Sequence, residues 1–528
     1  MEQIKPTVLI SLDGWGIDQP SRGNCITSAN TPVFDDLITR YPVMSLQSSG
    51  EAVGLMWGEM GNSEVGHLSM GTGHIVYQSL PRINKSITSG DFFKRDALLQ
   101  LKKFIIKNNS TLHLLGLVSD GGVHSHIDHL FALLDFCKEN TITKVCVHVI
   151  LDGRDTKQDG GLEYVKSLKK KLSEIGFGQI ATVSGRYYPM DRDQRWDRIE
   201  LAYLAMTQGK SLNSFSDPIQ AIEKSYEEGV YDEEFKPAVI KKNDVPVGLV
   251  EDKDALVFFN FRSDRARQLT SAFVLPGFEK FSRKKYFANM FFCSFTNYDK
   301  DLPVDAVVFP PEHIENPLAK VISDNNMKQL HIAETEKYAH VTYFFNGGKE
   351  DPFPGEDRIL VPSPPVANYA EKPEMSAVEI TEKVVKAVSE NKYNFIIINF
   401  ANADMVGHTG DIEATKKAVE VADACMGRIV KTVLEKDGNV VITADHGNAE
   451  SLIRPMTGEI EKEHTSNPVP CVIVGYTFEG KASGFGTEAV GTDLSILKPS
   501  GMLVDISPTI LKLMGLTIPK EMQGTPLI

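Results

Sequence analysis

Asn394-Phe395-Ile396-Ile397-Ile398-Asn399-Phe400, with the loop Ala401-Asn402-Ala403-Asp404-Met405-Val406-Gly407-His408-Thr409-Gly410 behind it, is the stretch on which the reading of this chain turns. An uninterrupted apolar run this short predicts a strand buried on both faces, as in parallel sheets covered by helices. The loop after it carries a carboxylate and an imidazole in Asp-x-x-x-His spacing. Ligand sites in open α/β sheets gather at the carboxyl ends of strands, so Asp404 and His408 are placed for chemistry. A long amphipathic helix is expected next, with Ala414, Ala418, Val421, Ala422, Cys425, Ile429 and Val433 at helical spacing.

The same pattern recurs on either side. Thr7-Val8-Leu9-Ile10-Ser11-Leu12 reads as a buried strand ending in Asp13-Gly14-Trp15-Gly16. An aspartate before glycine also suits a plain turn, which is the competing reading of Asp13. Val440-Val441-Ile442-Thr443 ends in Ala444-Asp445-His446-Gly447-Asn448. Gln329 to Ala333 ends in Glu334-Thr335-Glu336-Lys337-Tyr338, and His464 lies in Glu463-His464-Thr465-Ser466-Asn467-Pro468. In Met60-Gly61-Asn62-Ser63-Glu64-Val65-Gly66-His67 a hydroxyl stands where the run Val65, Leu68, Met70 can begin a helix. A helix start gathers unpaired N–H groups and favours negative charge, which suits a serine that becomes an alkoxide or carries phosphate. Its other reading is a helix cap.

Between these segments strands and helices alternate. Leu112 to Val118, Lys144 to Leu151, Gln179 to Ser184, Ala255 to Phe261 and Asn289 to Phe295 read as strands, with helices over Leu162 to Ile175 and Arg195 to Thr207. This is the rhythm of an α/β fold with a parallel or mixed sheet. A first crossing between domains is expected in Tyr77 to Arg82. The break at Val308-Phe309-Pro310-Pro311-Glu312 marks the return.

The chain has 528 residues and a formal charge of −14, room for more than one domain and a poor match to nucleic acid or an anionic membrane. Its six cysteines have no regular spacing and read as thiols in a reducing compartment. Met1-Glu2-Gln3-Ile4-Lys5-Pro6 carries no apolar leader, and no run approaches membrane-spanning length. A cytoplasmic monomer is expected.

Two clusters of chemistry emerge. Asp13, Ser63, Asp404, His408, Asp445, His446 and His464 mix carboxylate and imidazole ligands, which suits manganese, zinc, cobalt or iron better than calcium. They suffice for two metals with Ser63 as a shared or terminal ligand, an arrangement fit for phosphoryl transfer. His67, Asp411 and Asp423 read as structural. The second cluster is Arg154, Arg186, Arg192, Arg262 and Arg265, with His124 and Asp155. Arginine forks bind carboxylate and phosphate in planar geometry, so in an acidic protein they point to a small anionic substrate. Surface pairing with Asp155, Asp191, Asp193 and Asp264 is the competing reading. Lys337 would face the same cleft if the two domains close on each other.

These motifs resemble, in collinear order over essentially the whole chain, the cofactor-independent phosphoglycerate mutases of the alkaline phosphatase superfamily. The match runs through Asp13 to Gly16, Met60 to His67, Asp120 to His126, Asp152 to Thr156, Gly185 to Asp193 and Phe261 to Gln268. It continues through Glu334 to Gly348, Asn399 to Gly410, Thr443 to Glu450 and His464 to Pro470. The resemblance implies an alkaline-phosphatase-like, metal-binding sheet domain made of residues 1–77 and 312–528, with a phosphotransferase and substrate domain, 78–311, inserted in it. It implies that Asp404, His408 and His464 hold one metal and Asp13, Ser63, Asp445 and His446 the other. Manganese is the first expectation, with cobalt, magnesium or zinc as alternatives. His124, Arg154, Asp155, Arg186, Arg192, Arg262, Arg265 and Lys337 would bind or act on the phosphoglycerate. The family usually has proline where this chain has Ser263 and Ala403; no proposed ligand is lost.

The activity so implied is a step of glycolysis and gluconeogenesis, the exchange of 3-phosphoglycerate and 2-phosphoglycerate without 2,3-bisphosphoglycerate. Ser63 would take up the phosphoryl group as phosphoserine, Lys337 would offset charge, and Asp155 would serve as base to the glycerate hydroxyl. Domain closure would have to exclude water. The rivals are a phosphatase or phosphopentomutase relative with another acceptor, and a catalytically silent binder of phosphometabolites.

Overall fold

A computed structural model describes residues 5–312, 314–454, 456–481 and 492–528. The chain divides into two compact units, residues 1–78 with 313–528, and residues 79–312. The breaks lie one residue along from the expected boundaries. Val308 and Phe309, expected to interrupt the pattern, instead belong to a strand, Ala306–Phe309, and the crossing follows them.

Among the described residues, the discontinuous unit holds an eight-stranded mixed sheet. Its strand order is Glu356–Val361, Gln329–Glu334, Phe395–Phe400, Thr7–Leu12, Asn439–Thr443, Val469–Val474, Val43–Gln47 and Gly501–Met502. The first five run parallel. Thr7 pairs with both Phe395 and Asn439, and Leu12 lies opposite Phe400. That register carries the loops holding Asp13, Asp404 and Asp445 to one edge. Val469–Val474 runs antiparallel, with Cys471 opposite Thr443. Its amino end therefore lies at the edge where the parallel strands finish, which is how His464 arrives there.

Phe395, Ile396, Ile397 and Ile398 are fully buried, as the double-faced apolar run requires. Burying each such side chain stabilises the fold by about 1.5–3 kcal/mol. The helix Ile412–Leu434 buries Val419, Ala422, Met426, Ile429 and Val433 on one face. Asp411 and Asp423 both cap helices. Asp411 accepts from Ala414 N at 3.0 Å, and Asp423 accepts from Val33 N at 3.1 Å and Phe34 N at 2.7 Å, at the start of helix Pro32–Arg40.

The inserted unit has a nine-stranded mixed sheet ordered Ala306–Phe309, Phe291–Thr296, Ala255–Phe258, Leu112–Leu117, Val145–Leu151, Gln179–Gly185, Ala238–Lys242 and Asn213–Phe215, with Val245–Pro246 beside Ala238–Lys242. The first six run parallel. The strand expected over Ala255 to Phe261 stops at Phe258, because beyond it a side chain replaces the backbone ladder: Leu117 N donates to Asn260 Oδ1 at 2.9 Å. The six cysteines are free and buried. No helix among the described residues is long and apolar enough to cross a membrane.

Candidate metal centre and arginine cluster

Ser63 is the first residue of the helix Ser63–Thr72, and Asn62 caps it, its side chain accepting from Val65 N at 3.1 Å. The hydroxyl is thereby free of the capping duty that was its competing reading. Gly66 lets this helix start press on the loop after Asn439–Thr443; a Cβ there would meet Asp445 O at 2.5 Å. Gly14, at φ 73°, does the same for the helix Asn402–Gly407, where a Cβ would lie 2.8 Å from Asp404 Cα.

These approaches gather Asp13, Ser63, Asp404, Asp445 and His446, all buried, around Lys337. Lys337 Nζ donates to Asp13 Oδ1 at 2.6 Å, Asp404 Oδ2 at 2.7 Å and Ser63 Oγ at 2.8 Å, using all three of its protons. Burial opposes the ammonium charge, but Asp13, Asp404 and Asp445 hold Lys337 above its ordinary range. Burial would also raise Asp404 and Asp445; Lys337 keeps the first well below the usual carboxylate range and His446 with His67 the second. Asp13 goes the other way, pushed up by burial and by Asp445. Lys337, expected both to offset charge at Ser63 and to bind the phosphoglycerate, has its side chain in the carboxylate cluster beside Ser63.

The imidazoles are oriented by carbonyls. His408 Nδ1 lies 2.6 Å from Lys462 O, His464 Nδ1 2.9 Å from Gly61 O, and His446 Nδ1 3.2 Å from Gly447 O. A carbonyl only accepts, so each Nδ1 carries a proton and each Nε2 is the atom turned toward the carboxylates; Asp404 beside His408 pushes that ring's pKa up. His408 Nε2 and His464 Nε2 lie 3.1 Å apart, and 3.3 and 3.4 Å from Asp404 Oδ1. His446 Nε2 lies 3.0 Å from Ser63 Oγ, 3.5 Å from Asp13 Oδ1 and 3.6 Å from Asp445 Oδ2. Burial pushes His446 down to about 4, so its ring is neutral at pH 7.

The donor set fits divalent cations. Three buried carboxylates lie beside the Lys337 ammonium, three imidazole Nε2 atoms point inward, and buried Asp445 Oδ2 has no hydrogen-bond partner among the described residues. Asp404, His446 and His464 can bring ligand atoms within 4.8 Å of one another, as can Asp13, His67 and Asp445. His67 was set aside as structural in the sequence reading. Its Nδ1 donates to Ser63 O at 2.9 Å and lies 3.3 Å from Asp445 Oδ2, while its Nε2 accepts from Asn399 Nδ2 at 3.1 Å. With both nitrogens engaged, His67 orients Ser63 and stands beside Asp445. Its spacing, four residues after Ser63 on one helix face, is the signal that places it here.

The arginine cluster forms at the carboxyl ends of the inserted unit's strands. Arg186, buried, donates from Nη1 to Asp152 Oδ1 at 2.7 Å and Asp155 Oδ2 at 2.5 Å. Asp152, directly after the strand Val145–Leu151, is the anchor. It also accepts from Ser119 Oγ at 2.7 Å, Asp155 N at 3.0 Å and Arg154 N at 3.2 Å. Burial opposes its charge, yet these bonds hold it below the usual range. His124 lies between Asp155 and Asp264, at 3.9 and 3.8 Å, and burial with Arg186 pushes it down to about 4.

Ion pairing, the competing reading, holds in part. Arg192 and Arg262 share Asp264, both at 3.2 Å, and Arg154 meets Glu233 at 3.4 Å. Asp191 and Asp193 turn instead to Arg195 and Arg198. Arg265 donates to Met190 O at 3.1 Å. Burial and the neighbouring Arg186, Arg192 and Arg154 push its guanidinium down, so like charges crowd at this end of the sheet. Such crowding is relieved by an anion.

Residues 83–300 match the family model described as the BPG-independent PGAM N-terminus, and residues 283–455 match that of the type I phosphodiesterase / nucleotide pyrophosphatase family. A 2,3-bisphosphoglycerate-independent phosphoglycerate mutase of Clostridium botulinum is 49% identical over 524 residues, 99% of each chain. One from Acetivibrio thermocellus is 48% identical over the same share. Among solved structures, a Leishmania mexicana phosphoglycerate mutase at low cobalt concentration matches with a TM-score of 0.57 and 30% identity, covering 99% of this chain and 97% of that one.

Proposed function

This chain belongs to the 2,3-bisphosphoglycerate-independent phosphoglycerate mutases, and we propose accordingly that it interconverts 3-phosphoglycerate and 2-phosphoglycerate through a phosphoserine at Ser63. The observation that carries this reading is the setting of Ser63 Oγ at a helix start, 2.8 Å from Lys337 Nζ and 3.0 Å from His446 Nε2.

Activity depends on divalent metal ions, and manganese is the ion we favour over cobalt, magnesium and zinc. Asp404, His408 and His464 would hold one, and Asp13, Ser63, Asp445 and His446 the other. Bound there, the ions would lower the pKa of the Ser63 hydroxyl and offset charge on the phosphoryl oxygens. Ser63 Oγ attacks phosphorus, the bond to the substrate oxygen breaks, and the proton given up by Ser63 passes to that oxygen; the glycerate stays bound and turns its other hydroxyl to the phosphoserine. Lys337 Nζ, already aimed at Ser63 Oγ, stabilises the charge that develops. Arg154, Arg186, Arg192, Arg262 and Arg265, with His124, bind the anionic groups of the glycerate. Asp155, kept beside Arg186, takes the proton from the hydroxyl that attacks the phosphoserine, and Ser63 is regenerated. The enzyme works as a cytoplasmic monomer on this small molecule.

The test is Ser63→Ala in an enolase-coupled assay without added 2,3-bisphosphoglycerate. Turnover should fall by at least about 10⁴-fold, the scale of losing a nucleophile, with the circular dichroism spectrum unchanged. Turnover near that of the parent would remove Ser63 from the mechanism.

A further inference from the structure

Glu450 is fully buried, and its carboxylate receives four hydrogen bonds from three different loops. Gly16 N donates to Oε2 at 3.1 Å and Asn448 N to the same oxygen at 2.8 Å. Asn467 Nδ2 donates to Oε1 at 3.0 Å, and Thr465 Oγ1 also donates to Oε1. Gly16 follows Asp13, Asn448 follows Asp445 and His446, and Thr465 follows His464. The carboxylate is wedged in place, since a Cβ on Gly16 would meet Glu450 Cδ at 2.3 Å and one on Gly447 would meet Oε1 at 2.4 Å. The network reaches Asp404 as well, because Asn448 Nδ2 donates to Asp404 Oδ1 at 3.0 Å.

We infer that Glu450 is a positioning residue that pins the three loops carrying Asp13, Asp445 with His446, and His464 into register for the ions, and so sets how tightly they bind. The inference rests on the metal reading above. Four donors converging on two oxygens demand an acceptor at Gly16 N and Asn448 N, whose protons cannot turn away. Thr465 Oγ1 and the Asn467 amide can rotate to present an acceptor. Glutamine therefore meets the demand with its carbonyl oxygen on the backbone side, and alanine meets none of it. Partners that orient ligands typically govern 10–100-fold in metal affinity.

The experiment is a Mn²⁺ titration of the metal-stripped full chain, read as free Mn²⁺ by electron paramagnetic resonance, for the parent, Glu450→Ala and Glu450→Gln. We expect the Mn²⁺ Kd to rise about 10–100-fold in the alanine variant and to stay within about threefold in the glutamine variant. Parent-like affinity in the alanine variant would overturn the inference, as would equal losses in both, which would make charge rather than geometry the cause. Should the alanine variant not fold, Thr465→Val, near in shape, frees only the loop carrying His464. It should weaken one of two Mn²⁺ ions and leave the other; two unchanged ions would overturn the inference equally. A parent that binds no Mn²⁺ would instead overturn the metal reading beneath it.

Discussion

Replacing Lys337 by methionine removes its ammonium from beside the buried carboxylates of Asp13, Asp404 and Asp445, with little change in volume. Lys337 Nζ contacts Asp13 Oδ1 at 2.6 Å and Asp404 Oδ2 at 2.7 Å, all within a buried cluster. Breaking a buried pair by deleting one partner costs about 3–5 kcal/mol, because the other charge stays behind without its solvent. At 1.36 kcal/mol per factor of ten, that is about 2.2 to 3.7 orders of magnitude in the opening equilibrium. Asp13 is already pushed up by burial and by Asp445, so the variant will take up a proton there. An acid whose folded pKa is raised loses stability as pH climbs through that value, so the deficit is smaller at pH 5 than at pH 8. Divalent ions supply the missing positive charge. Hydrogen exchange of peptides spanning Thr7–Leu12 and Phe395–Phe400 reads the opening of this sheet without assuming that both units unfold together. In chelator at pH 8 the variant's exchange should quicken by that factor; with saturating Mn²⁺ the change should stay under about tenfold. An equal loss with and without ions, or none in chelator, would refute the idea that Lys337 balances the cluster's charge.

Chelation of the parent should abolish mutase activity, and Mn²⁺ should restore it; turnover indifferent to chelator would dismiss the ions. Asp155→Asn should lower kcat by about 10²–10⁴-fold with KM changed only severalfold, as for a missing general base; a raised KM at constant kcat would make Asp155 a binding group. Burial pushes Glu334 up to about 7, and its Oε2 has no hydrogen-bond partner among the described residues. Its contribution is fully present below about pH 4.5 and is lost as pH rises through 7, worth about 3 kcal/mol. Glu334→Gln should therefore gain stability over the parent between pH 5 and pH 8, measured by exchange of the Gln329–Glu334 peptide; a pH-independent difference would contradict it.

The strands that build the centre were legible because each is a short apolar run closed by a polar loop. Phe395–Phe400 before Asp404, Thr7–Leu12 before Asp13, and Asn439–Thr443 before Asp445 announce both sheet and site in one pattern. Val469–Val474 was not legible, because Pro470 argues against an interior strand. The pairs that tie it to its neighbours exist only in three dimensions. The cap at Ser63 was ambiguous because Asn62 and Ser63 are adjacent and both residue types cap helices; packing against Asp445 chose between them. Asp152, Asn399, Asn448 and Glu450 were missed for a common reason. Their importance lies in which distant backbone and side-chain atoms they meet, and a linear chain shows none of those meetings.

The central strand Thr7–Leu12 is made long before the strands it pairs with. Its neighbours Phe395–Phe400 and Asn439–Thr443 leave the ribosome only after the whole of residues 79–312 has been synthesised. The inserted unit, continuous in the chain, has every strand of its own sheet in hand by then. Biogenesis thus runs inward-out: the middle matures while the amino-terminal arm waits as an unpaired, aggregation-prone apolar segment. Ser63, on that arm, stays an ordinary alcohol until the carboxy-terminal loops arrive around it.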